Sequence, residues 1–347
     1  PITKHANVTI EPTVKGLDVV KMFRNSTQYY AIFTDSQGNF LKNKNVQFNI
    51  NGVFYTRTTN DKGIAMMGIN LNPGKYIITV INLVTGEQSS NIITVKSLIV
   101  QKDLTKYYLN ASRFQTTIYN KDGGLAVNKE VTFNINGVLY TRKTDSKGAA
   151  SLAINLRPGE YVLTAYNPVT GEQQGFNITV KSLIVTQDLT KYYMNASSFQ
   201  ATIYDKNGSL AVGKNVTFNI NGVFYTRTAD ENGVVSLAIN LRPGEYIITT
   251  IYEGLDIGNN IVVLPTLVTH DINMTYMDGS KFTAQTLDGH GKPLANQNVS
   301  FNVNGVFYHK VTDDNGFASL TIRLMSGKYI ITSSWNDFQT GNNITIS

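Results

Sequence analysis

One pattern recurs four times along the chain, and this self-similarity limits the possible folds more than any other feature of the sequence. The string Phe48-Asn-Ile-Asn-Gly52 returns at Phe133, Phe218 and Phe301, so that successive copies are 85, 85 and 83 residues apart. A second string, Leu71-Asn-Pro-Gly-Lys-Tyr76, follows each copy of the first with substitutions. Four copies in one order and at nearly constant spacing indicate a tandem array in which each copy is one structural unit.

Within a copy, hydrophobic residues alternate with polar ones, which is typical of half-buried β-strands. In the second copy, Val131, Phe133 and Ile135 alternate in this way. Asn136-Gly137 follows and predicts a type I′ hairpin turn, since both residues tolerate positive φ. About seven short strands per copy predict a Greek-key sandwich of the immunoglobulin type, and the tyrosine after each Pro-Gly or Ser-Gly is placed for a tyrosine corner.

The sequence therefore predicts an all-β protein with four tandem immunoglobulin-like β-sandwich domains in a rigid rod, preceded by one extra β-strand. The linkers are nearly absent: Val180–Val185 passes directly from one copy to the next, so little freedom between domains is expected. The predicted limits are 1–12 for the extra strand and 13–97, 98–182, 183–264 and 265–347 for the four repeats.

Residues 1–12 have two interpretations. Asn7-Val-Thr-Ile10 aligns with Asn177-Ile-Thr-Val180, the last strand of the second copy. The segment is either the last strand of a preceding repeat in a longer array, or a donor strand that completes a domain of another subunit in a filament.

The composition argues against catalysis and against a cofactor or metal site. The chain has no Cys, and its four His occupy unrelated positions without metal-ligand spacing. The net charge of +6 comes without a Lys/Arg run, so no nucleic-acid partner is expected. The longest apolar stretches are about six residues, too short for a membrane span. We therefore expect no enzyme activity, no cofactor and no membrane-spanning segment.

The Asp-x-x-Gly turns, such as Asp145–Gly148, resemble calcium-binding loops only faintly. The bidentate Glu that closes an EF-hand loop is missing, so an Asx-type turn is the favoured interpretation.

A lysine and an aspartate recur in the first strand of three copies. The lysines are Lys21, Lys106 and Lys191, and the aspartates are Asp18, Asp103 and Asp188. A buried Lys–Asn isopeptide bond is one interpretation. A salt bridge or an exposed pair is favoured, because the fourth copy has Met274 at the lysine position.

Asn-x-Ser/Thr sequons are frequent and make N-glycosylation a candidate modification. The candidate sites are Asn7, Asn25, Asn110, Asn177, Asn195, Asn207, Asn215, Asn273, Asn298 and Asn343.

A Tyr/Arg pair recurs in the strand after each Asn-Gly turn of the first three copies and is a candidate contact stripe. The pairs are Tyr55 and Arg57, Tyr140 and Arg142, and Tyr225 and Arg227. The alternative interpretation is that these residues support a neighbouring sheet or copy.

Three strings of each copy carry a family resemblance. They read Lys-Tyr-Tyr-x-Asn-x-Ser-x-Phe, Val-x-Phe-Asn-Ile-Asn-Gly-Val-x-Tyr-x-Arg and Ile-Asn-Leu-x-Pro-Gly-x-Tyr in copies two and three. They resemble the Ig-like repeats of adhesin-like surface proteins of methanogenic archaea and, more distantly, the invasin-type Ig-like repeats of bacteria. Copy four departs most, with Met325-Ser326 in place of Arg-Pro. The resemblance implies an extracellular, surface-anchored protein with repeats in series and candidate glycosylation.

Two functions follow as hypotheses. The first is an adhesin-like array at the cell surface that attaches to other cells or to surface glycans. The second is a structural stalk or filament subunit whose partners are further copies of the chain. An enzyme, or an accessory carbohydrate-binding module of one, is a distant third.

Overall fold

The computed structural model describes residues 3–347, which form strands and turns and contain no helix. These residues divide into two compact units. The first comprises the chain up to residue 106 together with 111–181, and the second comprises 107–110 and 182–347. The first unit holds the first repeat and most of the second, and the second unit holds the last two repeats together with residues 107–110 of the second.

Each repeat contains eight strands. Those of the first repeat are β1 (Val14–Gly16), β2 (Val19–Met22), β3 (Gln28–Phe33), β4 (Asn45–Ile50), β5 (Val53–Thr58), β6 (Ile64–Gly68), β7 (Gly74–Ile81) and β8 (Gln88–Lys96). Those of the second are β9 (Ile99–Val100), β10 (Leu104–Tyr107), β11 (Arg113–Ile118), β12 (Glu130–Ile135), β13 (Val138–Lys143), β14 (Ala149–Ala153), β15 (Gly159–Asn167) and β16 (Glu172–Lys181).

The strands of the third repeat are β17 (Ile184–Thr186), β18 (Leu189–Tyr192), β19 (Ser198–Ile203), β20 (Asn215–Ile220), β21 (Val223–Thr228), β22 (Val234–Ala238), β23 (Gly244–Tyr252) and β24 (Leu255–Leu264). Those of the fourth are β25 (Leu267–Thr269), β26 (Ile272–Met274), β27 (Lys281–Thr286), β28 (Asn298–Val303), β29 (Val306–Val311), β30 (Phe317–Thr321), β31 (Gly327–Trp335) and β32 (Phe338–Ile346).

Every repeat arranges its strands in the same two sheets. In the first repeat, β1-β3-β6 form a three-stranded sheet and β2-β8-β7-β4-β5 form a five-stranded sheet. Neighbours are antiparallel except β2 and β8, which run parallel, as do β18 with β24 and β26 with β32. This strand order is that of an immunoglobulin-like sandwich. The sequence predicts about seven strands; the eighth arises because the first strand is split at Leu17-Asp18 and joins both sheets in turn.

The hydrophobic core of each repeat lies between its two sheets and centres on one pair of aromatic rings. The pairs are Tyr29–Phe48, Phe114–Phe133, Phe199–Phe218 and Phe282–Phe301, with ring centroids 5.7–5.9 Å apart and nearly perpendicular planes. Edge-to-face geometry is a favoured arrangement for aromatic pairs. The fold class is therefore all-β with tandem Ig-like sandwiches, as predicted.

The predicted turns are confirmed. Asn136 and Gly137 have φ of 53° and 77°, as a type I′ turn requires. The hydroxyl of Tyr161 donates to the carbonyl of Arg157 at 2.8 Å, which is a tyrosine corner, and Tyr76, Tyr246 and Tyr329 make the same bond four residues upstream.

Residues 3–12, the described part of the predicted extra strand, form no strand. Residues 3–12 are exposed and belong to no sheet, and the first two residues of the predicted 1–12 element lie outside the described chain. A strand forms only where a neighbouring strand pairs with its backbone groups. In each repeat the place predicted for residues 3–12 is occupied by that repeat's own last strand. The rod shape and the four domain limits remain predictions.

Candidate functional site

The recurrent lysine is buried beneath the first strand. Lys21, Lys106 and Lys191 are 5–6% exposed. The Nζ of Lys21 donates to the carbonyls of Asn25, Thr27 and Ile69 at 2.5, 3.1 and 2.8 Å. Burial lowers the pKa of all three lysines below the usual value. These lysines therefore act as internal caps for backbone carbonyls.

The recurrent aspartate serves a different purpose. Asp18, Asp103, Asp188 and Asp271 each accept the backbone N–H of a residue in the last strand of the same repeat, at 2.8–2.9 Å. Asparagine side chains on that strand add further donors, for example Asn343 Nδ2 to Asp271 Oδ2 at 3.0 Å. The carboxylate thus fastens the split first strand to the last strand.

The favoured interpretation, a lysine–aspartate salt bridge or an exposed pair, is wrong, because the three lysines are buried and donate to backbone carbonyls. The recurrent lysines point into the core, whereas Asn177 and Asn343 lie on the exposed face and bond to the aspartates. A lysine and an asparagine on opposite faces of a sheet are not placed to form an isopeptide bond.

The Asp-x-x-Gly segments are Asx turns, as predicted. Asp145 Oδ1 accepts the N–H groups of Lys147 and Ala149 at 2.8 and 2.9 Å. The two bonds hold the pKa of Asp145 below its usual value, and the bond from Ala149 contributes most. No group of three or more His, Asp or Glu in the described chain could hold a metal ion.

The Tyr/Arg pairs lie on β5, β13 and β21, which are edge strands of the five-stranded sheets. Arg57 stacks over the ring of Tyr55 at 5.7 Å, and its Nη1 donates to the carbonyl of Thr56 at 2.8 Å. The other two pairs repeat both contacts. Each arginine bonds to a backbone carbonyl of the edge strand, which an added strand would otherwise use as an acceptor. We infer that each pair protects the edge from strand addition. Binding by these pairs stays a prediction.

A repeated apolar surface on the outer face of the five-stranded sheets is absent from the sequence predictions. Asn49 on β4 pairs with Phe54 on β5 and with Thr79 on β7, so these three side chains lie on one face of the sheet. Ile77, two residues before Thr79 on β7, lies on the same face. Each repeat has one exposed apolar side chain at the position of Phe54 and one at the position of Ile77, and we call these eight side chains the outer-sheet patch. They are 57–67% exposed and comprise Phe54, Ile77, Leu139, Val162, Phe224, Ile247, Phe307 and Ile330. The alternation within β5 and within β7, the two neighbours of β4, is the signal that could have located it.

Five of the sequon asparagines donate through their side-chain amides. Asn25 Nδ2 donates to the carbonyl of Lys121 in the next repeat at 2.9 Å, and Asn195 Nδ2 donates to Gly289 at 2.7 Å. Asn110 donates similarly to Lys206. Asn177 and Asn343 donate to aspartates of their own repeats. A glycan on any of these nitrogens would replace the hydrogen bond.

The remaining sequon asparagines present open amides. Asn7, Asn207, Asn273 and Asn298 are exposed and their side chains make no hydrogen bond within residues 3–347, and Asn215 uses only its Oδ1, which accepts from Thr228.

No protein-family model matches the chain. Similar solved structures include a Ca²⁺-stabilised adhesin that helps an Antarctic bacterium to bind ice, at 16% identity and a TM-score of 0.21, over 97% of this chain and 99% of that one. Invasin, a bacterial integrin-binding protein, has 15% identity and a TM-score of 0.24, over 96% and 79%. The titin I9–I11 tandem has 15% and 0.27, over 73% and 99%.

At such low identities and TM-scores, these similarities identify no ligand or partner of this chain. The immunoglobulin-like fold follows from the strand order of each repeat. No helix in the described part of the chain is long and apolar enough to cross a membrane.

Proposed function

We propose that the chain is an extracellular, adhesin-like Ig-repeat array of a cell surface, which attaches to other cells or to surface glycans. The outer-sheet patch carries this proposal. Eight large apolar side chains are more than half exposed, two at the same place in each repeat. We infer an interaction surface from this recurrence in every repeat, since exposed apolar patches mark such surfaces.

Repetition of one weak contact supports attachment. Linked modules that engage several sites together bind far more strongly than one module alone. The resemblance to methanogen surface repeats supports the same function. The Tyr/Arg pairs are proposed as a further contact stripe, and the open sequons (Asn7, Asn207, Asn215, Asn273 and Asn298) are proposed glycan sites.

The test is attachment of beads that carry residues 1–347 to cells and to immobilised surface glycans. The matched variant replaces the outer-sheet patch with serine in all four repeats, which leaves the cores untouched. We expect the variant to lose most of the attachment while it keeps its thermal transition. Equal attachment by both chains would contradict the proposal.

A filament subunit is the second candidate function. Residues 3–12 belong to no sheet, and Val8 and Ile10 are 85% and 89% exposed, so the backbone of this segment is available to pair with another copy.

A further inference from the structure

A pocket of about 630 Å³ lies within the first unit, where the first repeat meets the second. Two connections of the second repeat form most of its wall: the one between β11 and β12, with Tyr119–Asp122, Ala126 and Lys129, and the one between β15 and β16, with Val169 and Thr170 after Asn167 at the end of β15. Arg24, after β2, completes it. Connections at one end of a sandwich are where immunoglobulin domains build binding sites, and the volume is in the range of small-molecule sites.

The pocket is basic. Arg24, Lys121 and Lys129 line it, are exposed, and have no carboxylate oxygen within 4.0 Å among the described residues. Asp122 is the one acidic side chain in the wall, and its Oδ1 accepts the N–H of Gly124 at 3.0 Å. Three cations against one carboxylate attract an anionic ligand.

The backbone that carries the three cations is fixed before any ligand binds. Asn25 Nδ2 holds the carbonyl of Lys121, and the Arg24 guanidinium lies 5.1 Å from the ring of Phe23. The N–H of Lys129 donates to Thr144 Oγ1 at 2.9 Å. A site ordered in advance loses less entropy on binding.

A buried amide in the wall lacks an acceptor. Asn167 is 4% exposed, and its Oδ1 accepts the N–H of Val169 at 3.1 Å. Its Nδ2 donates to no group within residues 3–347, whereas Nδ2 of Asn82, at the same position in the first repeat, donates to Thr34 at 2.9 Å. This Nδ2 is therefore available to a ligand hydroxyl in the pocket that Asn167 lines.

The corresponding joint in the second unit lacks these features. Its residues at the positions of Arg24, Lys121 and Lys129 are Met194, Gly289 and Gln297. The turn that matches Pro168–Gly171 is shortened there to Asn336-Asp337. The basic pocket is therefore not a by-product of the repeated fold.

We propose that this pocket binds an acidic sugar residue of a surface saccharide. Arg24, Lys121 and Lys129 bind its carboxylate or sulfate group, and Asn167 with Thr170 binds its hydroxyls. The proposal rests on the attachment function and names the ligand class for one site within it.

The test is calorimetric titration of residues 1–347 with a galacturonic acid trimer, a sulfated disaccharide, a neutral galactose trimer and inorganic phosphate. We expect about one site per chain for one of the two acidic sugars. Arg24→Met and Lys129→Gln, which install the residues of the second unit, should each weaken binding at least roughly tenfold, as loss of a hydrogen bond to a charged group predicts. Lys44→Gln, at the position of Lys129 in the first repeat, is the matched control and should bind as the unmodified chain does.

Several outcomes would overturn the proposal: no binding of either acid, equal binding of the neutral trimer, phosphate binding as strong as that of the sugars, or the same loss in Lys44→Gln. The bead assay separates this failure from failure of attachment. A chain that attaches but binds neither acid removes the pocket's role alone, whereas one that binds an acid and attaches to nothing removes the attachment function alone.

Discussion

At the scale of single residues, the buried lysine shows how polar groups stabilise these sandwiches. The turn after the second strand leaves carbonyls directed inward, and the lysine Nζ satisfies them in three repeats. In the second repeat, Lys106 donates to Ile154 and Ser112 at 2.8 and 3.2 Å. The fourth repeat has Met274 at this place and closes its turn differently, with the N–H groups of Thr275 and Ser280 bonded to Asp278.

Replacing Lys106 by methionine is therefore expected to destabilise the second repeat, although methionine is native at this position in the fourth. The two carbonyls lose their donor, which costs about 1–3 kcal/mol. Hydrogen exchange resolved by peptide should show faster exchange in β11 and β14. Lys143→Met, on the exposed edge strand, is the control, and equal protection in both variants would refute the capping role.

Tyr29 is expected to make the first repeat sensitive to alkaline pH. It is 0% exposed, and burial followed by the charge of Asp18 raises its pKa to about 12. An unfolded tyrosine loses its proton near pH 10. Between about pH 10 and 12 the unfolded state therefore binds fewer protons, and stability falls as pH rises, by about 2–3 kcal/mol in all.

Tyr29→Phe should remove this alkaline loss, since phenylalanine occupies the position in the other three repeats. At neutral pH the variant should lose about 1 kcal/mol, because the hydroxyl no longer donates to Asn91 Oδ1 at 2.7 Å. Urea unfolding of both chains at a series of pH values measures the difference. The same alkaline slope in both chains would show that another group is responsible.

At the scale of elements, the aspartate clamp fixes the second half of the split first strand against the last strand. In the fourth repeat, the N–H of Asn343 and then the side chains of Asn343 and Asn342 hold the pKa of Asp271 below its usual value. A lowered pKa contributes stability that is present above the usual value near 3.9 and is lost as pH falls through the lowered value.

Asp271→Asn is therefore expected to reduce the stability of β26 at neutral pH and to remove its loss on acidification below about pH 4. The amide does not titrate and is a weaker acceptor than a carboxylate. Hydrogen exchange of β26 and β32 at pH 3 and pH 6 compares the two chains, with exposed Asp314→Asn as the control. An unchanged acid response in Asp271→Asn would contradict the clamp.

The elements that the sequence predicts well are the local ones. Asn136-Gly137, the turn at Asp145 and the corner at Tyr161 each depend on residues within about four positions, so their chemistry is visible in the sequence. The partners of Lys106 and Asp103 are not, because alternation shows which face a residue occupies but not which strand lies beside it. For each lysine the sequence therefore predicts a charged partner, whereas the fold places backbone carbonyls beside it.

At the scale of the whole molecule, the same limit applies to the candidate sites. The repeated strings reveal four sandwiches. The basic pocket combines Arg24, Lys129 and Asn167, which are far apart in the sequence and meet only because three connections end at one joint. Comparing the copies position by position shows the charges that differ, but not that they share a cavity.

The last prediction concerns residues 1–12. A donor strand needs a sandwich with an open groove, and each repeat of this chain already holds its own last strand, β8, β16, β24 or β32, hydrogen-bonded along its length. Insertion of residues 3–12 would have to displace one of them. We therefore expect residues 1–347 and 13–347 to have the same assembly state by size-exclusion chromatography with light scattering. Polymers formed only by the longer chain, and abolished by Val8→Asp with Ile10→Asp, would instead establish the filament function, since those changes remove the apolar alternation and keep the length.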